Sequence, residues 1–155
     1  MGGEKTEAGV GEKVDLEWGD VWGLGHGELD QEHHRLFDLY NDIRVSLERG
    51  QEADADLRTV CEDLIGFTRE HFRREEELME TVDYPDRTAH RKLHESFMDQ
   101  VDDIWTFVRE GDDPDDYLGR FLVLGFIGKW LKMHIMVVDQ KFAEFLKMRG
   151  LSARV

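Results

Sequence analysis

Four long segments of this chain repeat their apolar residues at steps of three and four, and only short stretches separate them. The first carries Leu29, His33, Leu36, Tyr40, Ile43 and Leu47, with Asp30 as the expected N-cap and Gly50 as its stop. The second runs from about Asp54 to Glu80 through Leu57, Val60, Leu64, Phe67, His71, Glu75 and Leu78. The third follows Pro85 with His90, His94, Phe97, Val101, Ile104 and Val108, and ends at Gly111. The fourth follows Asp113-Pro114 with Tyr117, Phe121, Leu124, Leu131, His134, Val138, Phe142 and Phe145, and ends near Gly150. This spacing lines one face of an α-helix, and no period-two strand pattern competes with it. Short links between long amphipathic helices make neighbours antiparallel. The expected fold is therefore all-α: an antiparallel up-down-up-down four-helix bundle with an irregular N-terminal arm.

A chain of 155 residues suits one domain with a real core. Residues 1–15 read as a flexible tail and 16–150 as the bundle, whose arm carries Trp18, Val21, Trp22 and Leu24. Thirty-five acidic residues against 20 basic ones leave a formal charge of -15, which excludes nucleic acid and anionic membrane surfaces as partners. It also disfavours casual self-association, so a monomer is expected. The lone Cys61 excludes a disulfide framework and a Cys-rich zinc module, and a buried inert thiol is expected there. The first residues, Met1 to Lys5, lack the apolar run of a signal peptide, and the apolar stretch Phe121 to Ile127 is too short to span a bilayer. The expected location is the cytoplasm.

The informative residues are the polar ones on the apolar stripes. His33, His71, Glu75, His90, His94 and His134 all lie on inward lines, and Asp139 sits one position beyond Val138. Buried carboxylates and imidazoles are costly unless paired or metal-bound. His71 and Glu75 are four apart, as are His90 and His94, so each pair shares a helix face. His134 and Asp139 are five apart, about 140° out of line in an ideal helix. They share a site if it is broad or if the helix is wound wider there. Imidazole and carboxylate donors without sulfur suit iron, manganese or zinc. Seven donors exceed the needs of one tetrahedral zinc and suit two six-coordinate ions bridged by the two carboxylates. No histidine has a glutamate three residues before it, which excludes the ferritin-like diiron pattern. His94-Glu95 is not followed by a histidine at the spacing of a zinc protease.

The chain resembles the hemerythrin family, in particular its bacterial members. The resemblance rests on Leu29-Asp30 followed by His33, Leu36 and Phe37, on the run His71 to Met79 and on Tyr84-Pro85. It continues in His90, His94 and Phe97, and in Trp130-Leu131 with His134-Ile135 and Asp139. It spans about Trp18 to Leu146. It implies a non-haem diiron centre with an oxo or hydroxo bridge that binds O2 reversibly, with NO or small anions such as azide as further ligands. By position, one iron would be held by His90, His94 and His134, and the other by His33 and His71 with an open place. Glu75 and Asp139 would bridge both. No catalytic residues are implied, and any oxidase or peroxidase activity would be weak. A diiron sensor of O2 or redox state acting through a separate partner, or a diiron oxidase, is the alternative. Iron repair proteins with similar bundles carry Cys-bearing segments that do not occur here.

His34 lies about 100° round the helix from His33 and reads as solvated; His26, in the Gly-rich arm, has no partner at helical spacing. Phe37, Ile43, Leu64, Phe67 and Phe97 are candidate lining residues. Gly66, Gly125 and Gly128 read as close-packing positions, with a ligand channel as the other reading. Met79, Met133, Met136 and Met148 read as core or rim packing residues, and Trp18, Trp22, Trp105 and Trp130 as packing residues. The acidic run 110–116 reads as a solvated turn.

Overall fold

The three-and-four periodicity becomes helix throughout the computed structural model, which describes residues 24–49, 54–110 and 117–151. Helix α1 covers Gly27–Arg49, α2 Asp54–Thr81, α3 Arg87–Glu110 and α4 Tyr117–Met133. The chain then passes through one wide π-helical turn, His134–Asp139, into α5, Gln140–Met148. Met133 and Gln140, on either side of that turn, keep right-handed helical backbones, so α4, the π turn and α5 form one rod. No strand occurs among the described residues. The tail 1–15, Trp18, Trp22 and residues 111–116 of the acidic run lie outside the described residues.

Helix α1 starts earlier than its expected cap. Asp30 sits inside the first turn, and its carboxylate accepts the Leu24 N–H at 2.6 Å, tying the arm to the helix. The cap is supplied by His26, whose Nδ1 accepts the Leu29 N–H at 3.4 Å. Helix α2 ends in a Schellman turn: Tyr84 N–H donates to Met79 O at 2.8 Å and Asp83 N–H to Glu80 O at 3.2 Å. Asp83 takes the left-handed place with φ 52°, a conformation that aspartate tolerates better than most residues. Tyr84 then folds back against Phe142 and Phe145, with ring centroids 4.9 and 5.1 Å away. Gly150, with φ 67°, ends α5 as expected, and Leu151 N–H reaches back to Leu146 O at 2.8 Å.

Helix α1 packs on α2 and α4, and α3 packs on the same two, giving a ring of four rods. The α2–α3 pair is antiparallel: Glu76 meets Arg91 while the earlier Arg69 meets the later Asp102. The core follows the predicted stripes. Leu36, Tyr40, Ile43, Leu64 and Leu131 pack at one end, and Leu29, Met79, Tyr84, Phe142 and Leu146 at the other. Fully burying one such side chain contributes about 1.5–3 kcal/mol. The polar centre lies among these apolar groups. Cys61 is half-buried against the first of them.

Two packing expectations change. Met79 is buried, but Met133 and Met148 are 54% and 80% exposed, because each is turned away from its inward neighbour, His134 or Leu146. Of the helix glycines only Gly128 is a close-packing position: a Cβ there would lie 2.5–2.8 Å from the Tyr40 ring and hydroxyl. A Cβ on Gly66 or Gly125 would meet nothing within 4 Å. No helix among the described residues is long and apolar enough to cross a membrane.

Candidate metal centre

The seven singled-out residues come together in two overlapping groups. Glu75, His90, His94, His134 and Asp139 form one, and His33, His71, Glu75 and Asp139 form the other, with donor atoms in each group within 4.8 Å of one another. Each residue is buried, and Glu75, Asp139 and His33 have no exposure at all. The two carboxylates belong to both groups. His34, by contrast, is exposed beside Asp38 on the outer face of α1.

Helical geometry explains most of this convergence. His71 and Glu75 project from one face of α2, and His90 and His94 from one face of α3. His33 enters from α1. His134 and Asp139 are brought into line by the π turn, in which a wider winding carries five residues round to nearly the same direction. His134 Nε2 and Asp139 Oδ1 are 3.0 Å apart. The helix is wound wider, and the site is not broad.

All five imidazoles aim Nε2 at the centre. Nε2 of His33 and His71 are 3.2 Å apart, those of His90 and His134 3.1 Å, and those of His94 and His134 2.9 Å. Asp139 lies 3.1 Å from Nε2 of both His33 and His90, and Glu75 lies 3.3 Å from Nε2 of His94. Yet neither carboxylate oxygen of Glu75 or Asp139 has a hydrogen-bond partner among the described residues, nor has Nδ1 of His33 or His90. A buried anion without donors is strongly unfavourable. Adjacent donors round a small six-coordinate cation at about 2.1 Å stand roughly 3 Å apart. The donor set, its spacing and its orphaned oxygens therefore fit two metal ions sharing Glu75 and Asp139.

Electrostatics point the same way. Burial and the charge of Asp139 push the Glu75 carboxyl up, but the facing His90, His94 and His71 hold it far below the usual carboxylate range. Asp139 is likewise held well below its ordinary value by His134, His33 and His90, against burial. Burial pulls His90 down, but Asp139 and Glu75 outweigh it and raise it to about 9. Against burial, Asp139 and Glu75 also raise His33, and Glu75 and Glu76 raise His94, whereas burial prevails at His134 and lowers it. The centre thus keeps two ionised carboxylates and satisfies them with positive charge, from protons or from cations.

Four residues that the sequence did not single out as part of the site support the imidazoles. Glu32 accepts from His71 Nδ1 at 2.7 Å and Glu76 from His94 Nδ1 at 2.8 Å. Phe72 stacks on His94, with centroids 3.7 Å apart and planes 3° off parallel. Trp130 stacks on His134 at 4.3 Å and on Phe97 at 3.8 Å. Of the expected lining, Phe97 joins this aromatic wall; Phe37, Ile43 and Leu64 are buried in the neighbouring apolar cluster, with Phe67 partly buried against it. The glutamates leave no periodic signal, because each serves a histidine on the next helix.

The family model of the hemerythrin HHE cation binding domain matches residues 24–146. The chain belongs to the hemerythrin family. It is 33% identical over 132 residues to the bacteriohemerythrin of Stenotrophomonas maltophilia (strain R551-3), covering 85% of this chain and 82% of the relative. The bacteriohemerythrin of Pseudomonas aeruginosa (strain LESB58) is 30% identical over the same shares. A hemerythrin-like protein of Naegleria gruberi is 28% identical over 129 residues, 83% of this chain and 92% of that protein. Every residue of the two donor groups falls within the span matched by the hemerythrin model.

Proposed function

We propose that this hemerythrin-family chain binds O2 reversibly at a non-haem diiron centre, as an oxygen carrier, store or supplier and not as an enzyme. The observation that carries the reading is the division of donors: three imidazoles on one side of the shared Glu75 and Asp139, and two on the other. His90, His94 and His134 would hold one iron, His33 and His71 the other, and Glu75 and Asp139 both. The two-histidine side is left a donor short and has a place for a small ligand. Iron is chosen over manganese or zinc on the family resemblance.

When bound, the reduced iron pair supplies the electrons that O2 takes up and returns. The protein does the rest. Glu32 and Glu76 keep the protons of His71 and His94 on Nδ1, which leaves Nε2 free to donate. Phe72 and Trp130 lock ring planes and keep water from the imidazoles they cover. The surrounding apolar side chains restrict proton entry, which disfavours loss of the ligand in a reduced, protonated form. The same reading takes the protein as a cytoplasmic monomer.

The test is anaerobic reduction of the iron-loaded protein, followed by air and then argon, with absorption spectra at each stage. A band that appears in air and leaves under argon, at two irons per chain, is the expected result. Direct conversion to an oxidised form with no reversible stage would transfer the weight to a redox sensor or oxidase.

A further inference from the structure

One three-residue arrangement occurs twice around the centre. Glu32 of α1 accepts from His71 of α2 and also pairs with Arg74 of α2. Glu76 of α2 accepts from His94 of α3 and also pairs with Arg91 of α3, whose Nε is 3.3 Å away. In each case the histidine and arginine are three residues apart on one helix, and the carboxylate comes from the preceding helix. Exposure climbs along each chain, from His71 at 1% through Glu32 at 16% to Arg74 at 41%. It climbs likewise from His94 at 2% through Glu76 at 21% to Arg91 at 47%. One arrangement serves the two-histidine group and the other the three-histidine group.

We propose that Glu32 and Glu76 are positioning residues, each governing cation binding at one of the two places: Glu32 that of His33 and His71, Glu76 that of His90, His94 and His134. The inference rests on the two-cation reading above. A neutral imidazole carries one N–H, and only the nitrogen without it can bind a cation. A carboxylate at Nδ1 fixes the proton there and strengthens the inward nitrogen as a donor. The guanidinium is charged at every working pH and holds the outer side of the carboxylate in register. Because the two arrangements stand on different helix pairs, they act separately.

The test uses full-length Glu32→Gln, Glu76→Gln and the double variant, with helical circular dichroism confirming that each folds. The glutamine amide is uncharged and offers a donor as readily as an acceptor. Metal-free protein labelled with 15N-histidine is first read by NMR at alkaline pH, where the imidazoles are neutral and each carries one N–H. Wild type is expected to show His71 and His94 with the proton on Nδ1; E32Q should release His71 alone and E76Q His94 alone. Cobalt(II) is then titrated anaerobically. Each single variant should weaken one binding step about 10–100-fold and leave the other nearly unchanged, and the double variant should weaken both. A folded pair of variants with wild-type tautomers and both cobalt steps intact overturns the positioning role and leaves the two-cation reading standing. A wild type that takes up fewer than two cobalt ions overturns the two-cation reading and the division of labour with it, even where the tautomers respond.

Discussion

His134 and Asp139 face one point from a single helix although five residues separate them, with Nε2 and Oδ1 3.0 Å apart across a π turn. The turn holds one residue more than an α-helix needs between the same two directions. Val137, 44% exposed, is the residue to remove. Four α-helical steps carry about 400°, so deleting Val137 leaves His134 and Asp139 on one face and keeps α5 in phase. The expected variant binds the same number of ions in a helix without the wide turn. Deleting Lys141 instead turns Phe142, Ala143 and Leu146 by about 100° off the core and should cost roughly 3 kcal/mol or more. Loss of one bound ion on deleting Val137 would show that the wide winding itself is required.

Metal removal should destabilise the protein through two residues in particular. Without cations, Glu75 and Asp139 are fully buried anions balanced only by protons on the facing imidazoles, His90 above all. Losing the partner of a buried charge costs up to about 3–5 kcal/mol, part of which those protons offset, so chelation is expected to lower the Tm by about 5 °C or more. In a Glu75→Gln, Asp139→Asn double variant the chelator should have little effect, because neither the charge nor the paired site remains. Thermal unfolding with and without chelator decides it; equal losses in both proteins would separate stability from these carboxylates.

The metal-free protein should also lose stability toward alkaline pH. Its His90 is raised to about 9 because Asp139 and Glu75 favour the charged ring more strongly than burial opposes it. A raised value means that the charged form is better held in the folded chain than in the unfolded one. Its contribution is complete below about 6.5 and disappears as pH rises through about 9. The metal-free Tm should therefore fall by about 5 °C or more across this window, and that of the loaded protein by less, since cations then stand where the protons stood. A flat metal-free profile would mean that His90 is neutral throughout.

Alanine at two glycines should act in opposite directions. At Gly128 the new Cβ would lie 2.5–2.8 Å from the ring and hydroxyl of Tyr40, a residue only 1% exposed, so the ring or the helix must shift. The overlap should cost about 1–3 kcal/mol, more than the helix propensity gained. At Gly66 a Cβ meets nothing within 4 Å, so Gly66→Ala should stabilise by about 0.5–1 kcal/mol. Denaturant melts of the two variants, moving to opposite sides of wild type, are the measurement.

What was legible in the chain follows from what periodicity encodes. A helix repeats its inward face every three or four residues, so spacing alone reveals the rods and the inward placement of His33, His71, Glu75, His90, His94 and His134. Asp139 is the exception that periodicity handles poorly: α-helical winding alone places it off the line, and only the wide turn returns it. Contacts between helices leave no such trace. Glu32 and Glu76 look like surface acids beside His33 and Glu75, and their partners lie 39 and 18 residues away. Asp30 mimics a helix start because an acid that ties down the preceding arm has the same local sequence as one that caps.

An odd number of imidazoles divides unevenly. Glu75 from α2 and Asp139 from the last rod belong to both donor groups, while the five histidines fall three to one group and two to the other. The interior is lopsided in consequence: if each group holds an ion, the chain offers one imidazole fewer to the second, and that place would be filled only by something that arrives from outside.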